Sequence, residues 1–232
     1  MKPVKIGVLS AAILATVAGC ARDRGIVPEP AVPVEAADPS LELTRRAFLV
    51  DSHIDYPERA KPLEDVTIGT SGDFDYPRAR AGGLDLAFIV SFVSAEDAAA
   101  DTAYSKAEER IDLARGMPSK YPDKFALATS PEEARDAVAA GKLAIAIGIE
   151  NGDALESRLD RLAYFRDRGV SYITLTHAED NTLCDSSTGS GSERRWGGLS
   201  PLGREAIKEM NRLGIMVDLA PATDKTLYQA VE

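Results

Sequence analysis

Five apolar runs, separated by helical patterns, dominate the chain from about residue 41 onward. The runs show little polar alternation, which is typical of strands buried on both faces of a parallel sheet. We predict strands at residues 48–53, 84–93, 143–149, 171–176 and 215–219. Helices that alternate with such strands predict an α/β fold in which helices cover a parallel sheet.

Local signals mark where the intervening helices begin and end. Ser130-Pro131-Glu132-Glu133 is typical of a capping box with proline at the first helical position, and Gly141 follows the last turn. We predict three further helices: a long one that follows Ser94 and ends near Pro118, one at residues 159–169, and one that begins at Ser200-Pro201 and ends at Gly214.

The N-terminus has the features of a targeting segment. Lys2 and Lys5 precede an apolar stretch, residues 6–17, that is too short for a membrane span. Val17-Ala18-Gly19-Cys20 resembles the lipobox of bacterial lipoproteins, which implies that residues 1–20 are a signal peptide and that Cys20 is lipidated. The alternative is an ordinary secretory signal followed by a chance cysteine.

Residues 21–40 are rich in proline, which predicts an extended tether before a body at residues 41–232. Ala21 follows Cys20 where inner-membrane lipoproteins often carry aspartate, so we expect attachment in the bacterial cell envelope, on the periplasmic face of the outer membrane. With Cys20 as an anchor, Cys184 lacks a partner and no disulfide is expected.

Length and charge limit the classes of protein to which the chain can belong. Its 232 residues and ordinary apolar share predict one domain with a substantial core. The net charge of −10, with no basic block beyond Arg194-Arg195, argues against nucleic acid as a partner.

Polar side chains stand at the carboxyl ends of the predicted strands, where βα enzymes gather their chemistry. His53 and Asp55 can point to one ion from an extended segment, and imidazole with carboxylate suits zinc. Such a pair also occurs by chance, and a surface hydrogen bond or a core histidine is the commoner explanation.

Glu150 ends an apolar strand and needs a cation, hydrogen bonds or water. His177 can serve as ligand, general acid or base, or cap, and Asp218 lies just inside the fifth strand.

Five segments of the body carry a family resemblance. They are residues 50–56, residues 81–85, residues 148–152 (Gly-Ile-Glu-Asn-Gly), residues 175–177 (Leu-Thr-His) with Asn181 and Asp185-Ser186, and residues 198–205 continued by 209–214. In this order they resemble the membrane dipeptidase (renal dipeptidase) family, including its Asp-Gly-His-Asn-Asp-Leu, Gly-Ile-Glu-Gly-Gly and Leu-Thr-His motifs.

The resemblance implies a zinc metallopeptidase with a TIM-barrel-like fold that hydrolyses free dipeptides. It implies that His53 and Asp55 bind one zinc ion, that Glu150 bridges to a second, and that a water between the metals attacks the amide carbonyl. His177 is implied to orient the substrate and to stabilise the tetrahedral intermediate. Glu150 and His177 are thus the expected catalytic residues.

One part of the family pattern is missing. The second zinc of the family takes a histidine from an Asp-Leu-Ser-His segment, where this chain has Asp218-Leu219-Ala220-Pro221. The other histidine, a substrate-binding arginine and a late aspartate belong to further strands, and five strands cannot close an eight-stranded barrel. We therefore expect a barrel truncated to about five βα units, weak or absent hydrolysis by this chain alone, and an open edge that can pair in a homo-oligomer.

Three explanations of this departure stay open: a truncated gene product, which we favour, a fragment completed by another chain, and a shortened member that has lost catalysis. The alternative function is that of a non-catalytic envelope lipoprotein, which binds a peptide or a partner through the open face of the partial barrel. In both functions the chain contacts the membrane through its lipid anchor only.

Overall fold

Six strands form one sheet in the part of the chain that the computed structural model describes, residues 39–61, 64–189 and 194–232. The strands are β1 (Leu49–Ile54), β2 (Leu84–Phe92), β3 (Phe125–Leu127), β4 (Leu143–Glu150), β5 (Val170–Thr174) and β6 (Met216–Asp218). Every pair of neighbours is parallel. The predicted signal peptide, with Cys20, and the tether up to residue 38 lie outside the described residues.

The strand order is β1-β2-β4-β5-β6, and β3 pairs with the beginning of β4. β2 pairs with β4 along residues 144–150. The opposite edge of β4 is shared, because β3 pairs with residues 143–145 and β5 pairs from Ile147 onward. β4 is therefore the central strand of the sheet.

Helices connect the strands. They are α1 (Pro39–Arg46), α2 (Tyr56–Arg59), α3 (Tyr76–Gly82), α4 (Ala95–Ala99), α5 (Ala103–Lys120), α6 (Pro131–Ala139), α7 (Asp160–Asp167), α8 (Pro201–Leu213) and α9 (Asp224–Val231), with a 3₁₀ helix at Gly152–Leu155. Among the described residues, none of these helices combines the length and apolar character needed to cross a bilayer.

The predicted α/β architecture is confirmed: parallel strands and helices form βα units that make up an open part of a TIM-barrel-like fold. All five predicted strands are present, with ends that differ by at most two residues. β3 is an additional strand. Its three residues are too few to show a hydrophobic period.

Two helix predictions need correction. The long helix after Ser94 is two helices, because Asp101 adopts a left-handed backbone conformation (φ 57°) between α4 and α5. The predicted end near Pro118 agrees with α5, which ends at Lys120, two residues after the proline. The capping box at Ser130 is half formed: Ser130 accepts from the Glu133 N–H, but the Glu133 carboxylate accepts from the Thr129 N–H instead.

β4 separates a large core from a small one. Ile145, Ile147 and Ile149 are fully buried in the main cluster, against the helices. The alternate residues Ala144 and Ala146 belong to a smaller cluster on the other face of the sheet. Small side chains on this second face leave room for larger residues from the neighbouring strands.

Candidate metal centre

The parallel strands bring polar residues together at the edge of the sheet that is formed by the carboxyl ends of the strands. Glu150 is the last residue of β4 and is paired with Thr174, which is paired with Asp218. His53 lies near the end of β1, and Asp55 follows that strand directly. Because carboxyl ends of parallel strands share an edge, residues far apart in the chain meet here.

His53, Asp55 and Glu150 converge. His53 Nε2 lies 3.4 Å from Asp55 Oδ1 and 3.3 Å from Glu150 Oε2. One nitrogen or oxygen atom from each residue lies within 4.8 Å of the others, and within the described ranges this is the one such group of three metal-ligating side chains. Glu150 is the least exposed of the three, with 12% of its side chain accessible.

The donor set fits a divalent cation. One imidazole and two carboxylates are ligands that zinc accepts, and a catalytic zinc site keeps a further position for water or substrate. Asp55 Oδ1 is buried and has no hydrogen-bond partner. A buried carboxylate oxygen without a hydrogen bond is costly, so a cation among these three side chains would stabilise it.

The same residues shift one another's ionisation. The nearby carboxylate of Asp55, and after it that of Glu150, favour the charged form of the His53 ring and raise its pKa to about 10. His53 in turn lowers the pKa of Asp55, against the opposing effect of burial. The cluster therefore pairs two acidic groups with one positive charge, which a metal cation can replace.

His177 lies on the other side of Glu150. Its Nε2 is 3.5 Å from Glu150 Oε1, whereas His53 faces Oε2. The rings of His177 and Phe92 pack edge to face, with their centroids 4.8 Å apart. His177 is outside the group of three, and 38% of its side chain is exposed, so it can reach a molecule bound at the centre.

Asp218 does not join the cluster in the part of the chain that is described. It accepts hydrogen bonds from the Thr174 hydroxyl at 2.5 Å and from the Ala220 N–H at 3.1 Å.

Hydrogen bonds of two asparagines connect the loops that follow the strands at this edge of the sheet. Asn181 donates to Asn151 Oδ1, and Asn151 donates to the Val93 carbonyl, both at 3.0 Å.

Sequence reasoning missed Tyr172. It is 7% exposed, and its hydroxyl lies 3.2 Å from the Ser52 carbonyl and 3.1 Å from His53 Nδ1. Burial raises the pKa of Tyr172, so the hydroxyl keeps its proton. A tyrosine in an apolar strand is typical of a core residue, and nothing in the sequence signals a contact with a residue 119 positions away.

A cavity of about 330 Å³ opens beside His53 and Asp55. Arg59, Asp73 and Arg78 are among the side chains that line it. A cavity of this size, with a few convergent polar groups, is typical of small-molecule sites.

Comparisons with known proteins concern almost all the described residues. The family model described as "Membrane dipeptidase (Peptidase family M19)" matches residues 38–232. Dipeptidase 3 of Mus musculus is 34% identical over 202 residues, which are 83% of this chain and 40% of that protein. An uncharacterised dipeptidase of Schizosaccharomyces pombe is 32% identical over 215 residues, which are 82% of this chain and 50% of that protein.

Solved structures show the same fold. The structure titled "probable dipeptidase PvdM" from Pseudomonas aeruginosa has a TM-score of 0.75 and 28% identity, over 82% of this chain and 51% of that chain. The chain thus spans about half the length, or less, of these three relatives.

Proposed function

Because this chain belongs to the membrane dipeptidase family, peptidase family M19, we propose that it carries the metal site of a zinc-dependent dipeptidase that hydrolyses the amide bond of free dipeptides. The observation that carries this proposal is the convergence of His53, Asp55 and Glu150 from two strands and one loop. The resemblance predicted these same three residues as metal ligands.

The proposed roles follow from position. His53, Asp55 and Glu150 would hold the metal, because His53 Nε2 faces Asp55 Oδ1 and Glu150 Oε2. When bound, zinc supplies a Lewis acid that lowers the pKa of a water molecule and polarises the amide carbonyl. His177 approaches the same carboxylate from the exposed side, where it orients the dipeptide and stabilises charge on the carbonyl oxygen.

The proposal assigns one zinc ion to the ligands of this chain. A second ion bridged by Glu150, as the resemblance implies, needs imidazoles that the segment Asp218-Leu219-Ala220-Pro221 does not offer. A single ion lacks the second charge that stabilises both the attacking and the leaving atoms in two-metal sites. We therefore expect slow hydrolysis by this chain alone.

We also propose attachment to the bacterial cell envelope through lipidated Cys20, supported by the lipobox at residues 17–20. The test is to measure how much of the protein is in the membrane fraction of bacteria that express the full chain. Cys20→Ala should release the protein from that fraction, whereas Cys184→Ala should leave it attached.

The alternative function, a non-catalytic lipoprotein that binds a peptide or a partner, is not favoured. A binding surface needs no metal-ligating side chains, whereas three of them converge at this edge of the sheet.

Zinc binding tests the first step of the proposal. Wild type should bind one zinc ion in competition with a chromophoric chelator, and Glu150→Gln should lose tight binding. Glu109→Gln is the matched control, since Glu109 is an exposed carboxylate that pairs with Lys106. A folded wild-type chain that binds no zinc would contradict the proposal.

Dipeptide chemistry tests the second step. Hydrolysis of a small dipeptide panel should be measured with zinc and with chelator, and binding should be followed by the NMR shifts of the histidine rings. We expect zinc-dependent dipeptide binding, with slow turnover that chelator and Glu150→Gln abolish. A zinc-loaded chain that neither binds nor cleaves any dipeptide would overturn the proposed substrate class.

A further inference from the structure

The hydroxyl of Tyr172 contacts the His53 ring on the side opposite the proposed metal-binding nitrogen. Tyr172 Oη lies 3.1 Å from His53 Nδ1. His53 Nε2 faces the carboxylates of Asp55 and Glu150. The same tyrosine hydroxyl donates to the backbone carbonyl of Ser52, 3.2 Å away.

The number of protons decides which group donates in this arrangement. A phenol has one O–H, and a carbonyl oxygen can only accept, so Tyr172 makes both hydrogen bonds at once only when its proton goes to Ser52. Tyr172 Oη is then left to accept from His53 Nδ1, which must carry a proton. A neutral imidazole with its proton on Nδ1 has its lone pair on Nε2, the nitrogen that faces both carboxylates.

Gly148 provides the space in which the Tyr172 ring lies. The two residues are register partners on β4 and β5. A Cβ atom on Gly148 would lie 2.2 Å from Tyr172 Cζ and 2.6 Å from Oη. Gly148 does not have a positive φ. A glycine is therefore needed here for space and not for backbone conformation.

We propose that Tyr172 is a positioning residue of the metal centre: its hydroxyl, over Gly148, holds His53 in the tautomer whose Nε2 is free to bind zinc. This inference rests on the proposed function, because it assigns Tyr172 a role toward the proposed ion. A purely structural residue would need the aromatic ring but not the hydroxyl. The hydroxyl is therefore the group to test.

The affinity of the chain for zinc is the first readout. Tyr172→Phe should bind zinc about tenfold or more weakly, since loss of a group that hydrogen-bonds a ligating histidine typically costs roughly 10–100-fold in metal affinity. Tyr164→Phe is the matched control: the Tyr164 hydroxyl donates to Glu108 at 2.6 Å, away from the centre, so zinc affinity should be unchanged. Gly148→Ala should also weaken zinc binding, because it displaces the ring although the hydroxyl is present.

The protonation of the His53 ring is the second readout and needs no substitution at Tyr172. The chain has only two histidines, so ¹⁵N-histidine NMR of the zinc-loaded wild type can be assigned with His177→Gln. We expect a proton on His53 Nδ1 that exchanges slowly with solvent, and no proton on Nε2. In Tyr172→Phe the Nδ1 proton should exchange faster.

The outcomes separate this inference from the proposed function. A folded Tyr172→Phe chain with wild-type zinc affinity, or a His53 ring that binds zinc through Nδ1, overturns the positioning role and leaves the zinc site standing. Wild type without zinc binding overturns both. If Tyr172→Phe does not fold, the wild-type NMR spectrum and Gly148→Ala decide.

Discussion

His53 and His177 face opposite oxygens of a single carboxylate. His53 Nε2 is 3.3 Å from Oε2 of Glu150, and His177 Nε2 is 3.5 Å from Oε1. The shared carboxylate can thus bind a metal through the oxygen near His53 and present the other oxygen toward His177. The two imidazoles therefore lie beside the same carboxylate, but only that of His53 faces the oxygen proposed to bind the metal.

The two histidines should therefore respond differently to substitution. His53→Gln should weaken zinc binding by more than about 100-fold, because it removes a proposed ligand and not merely a group that supports one. His177→Gln should leave zinc affinity nearly unchanged but weaken dipeptide binding about tenfold, equivalent to ~1.4 kcal/mol. Chelator competition measures the first effect, and dipeptide titration of the zinc-loaded chain measures the second. Equal loss of zinc affinity in both variants would make His177 a ligand and refute this division of roles.

The strands and their polar ends were predictable from the sequence. The apolar runs that end at His53 and Glu150 are long, and a parallel sheet places their carboxyl ends together without any knowledge of distances. This geometry explains why the predicted metal ligands meet. The family resemblance added their roles.

Other features depend on contacts that a sequence pattern does not carry. The break between α4 and α5 comes from one residue, Asp101, in a left-handed conformation that aspartate tolerates but does not require. The contact of Tyr172 with His53 joins strands that are not neighbours in the sheet order. Hydrophobic periodicity predicts that Tyr172 is buried, but it cannot predict which polar group its hydroxyl meets.

The stability of the fold should depend on pH through the carboxyl group of Asp153. Burial raises its pKa above the ordinary range of an aspartate, so the folded state favours the protonated form. Its favourable contribution is present below the unfolded pKa and is lost as the pH rises through the folded pKa. Asp153→Asn should therefore raise the melting temperature at pH 7, and this gain should shrink as the pH falls toward 4.

Asp123→Asn serves as the control of opposite sign. Lys124 lowers the pKa of the exposed Asp123 carboxyl, so removal of that charge should not stabilise the fold at pH 7. Thermal unfolding of both variants from pH 4 to pH 8 measures the difference. An Asp153→Asn effect that is independent of pH would show that burial of the charge is not its cause.

Cys184 should resist thiol reagents in the native chain. It is fully buried, and burial raises its pKa to about 12, so almost no thiolate is present at pH 8. In a chain that carries Cys20→Ser, reaction with a chromogenic disulfide should be slow until denaturant is added, and then one thiol should react. Rapid stoichiometric reaction without denaturant would contradict the packing around Cys184.

Two helical glycines should respond in opposite directions to alanine. A Cβ on Gly203, in the first turn of α8, would lie 2.1 Å from the backbone carbonyl oxygen of Leu183, which cannot rotate away as a side chain can. Gly203→Ala should therefore destabilise the fold by about 1–3 kcal/mol, as overpacking typically does. Gly116 lies within α5 with no atom within 4 Å of its Cβ position. Gly116→Ala should stabilise by about 0.5–1 kcal/mol, since alanine restricts the unfolded chain and favours helix.

Urea unfolding of the two variants measures both changes in the free energy of unfolding. Gly203 lies where α8 contacts the loop after β5, the loop that also carries His177, so displacement of Leu183 should reach the site. Dipeptide binding should accordingly weaken in Gly203→Ala and stay at the wild-type level in Gly116→Ala. If both variants were stabilised, the close approach of α8 to Leu183 would be wrong, because only an open position gains from the added methyl group.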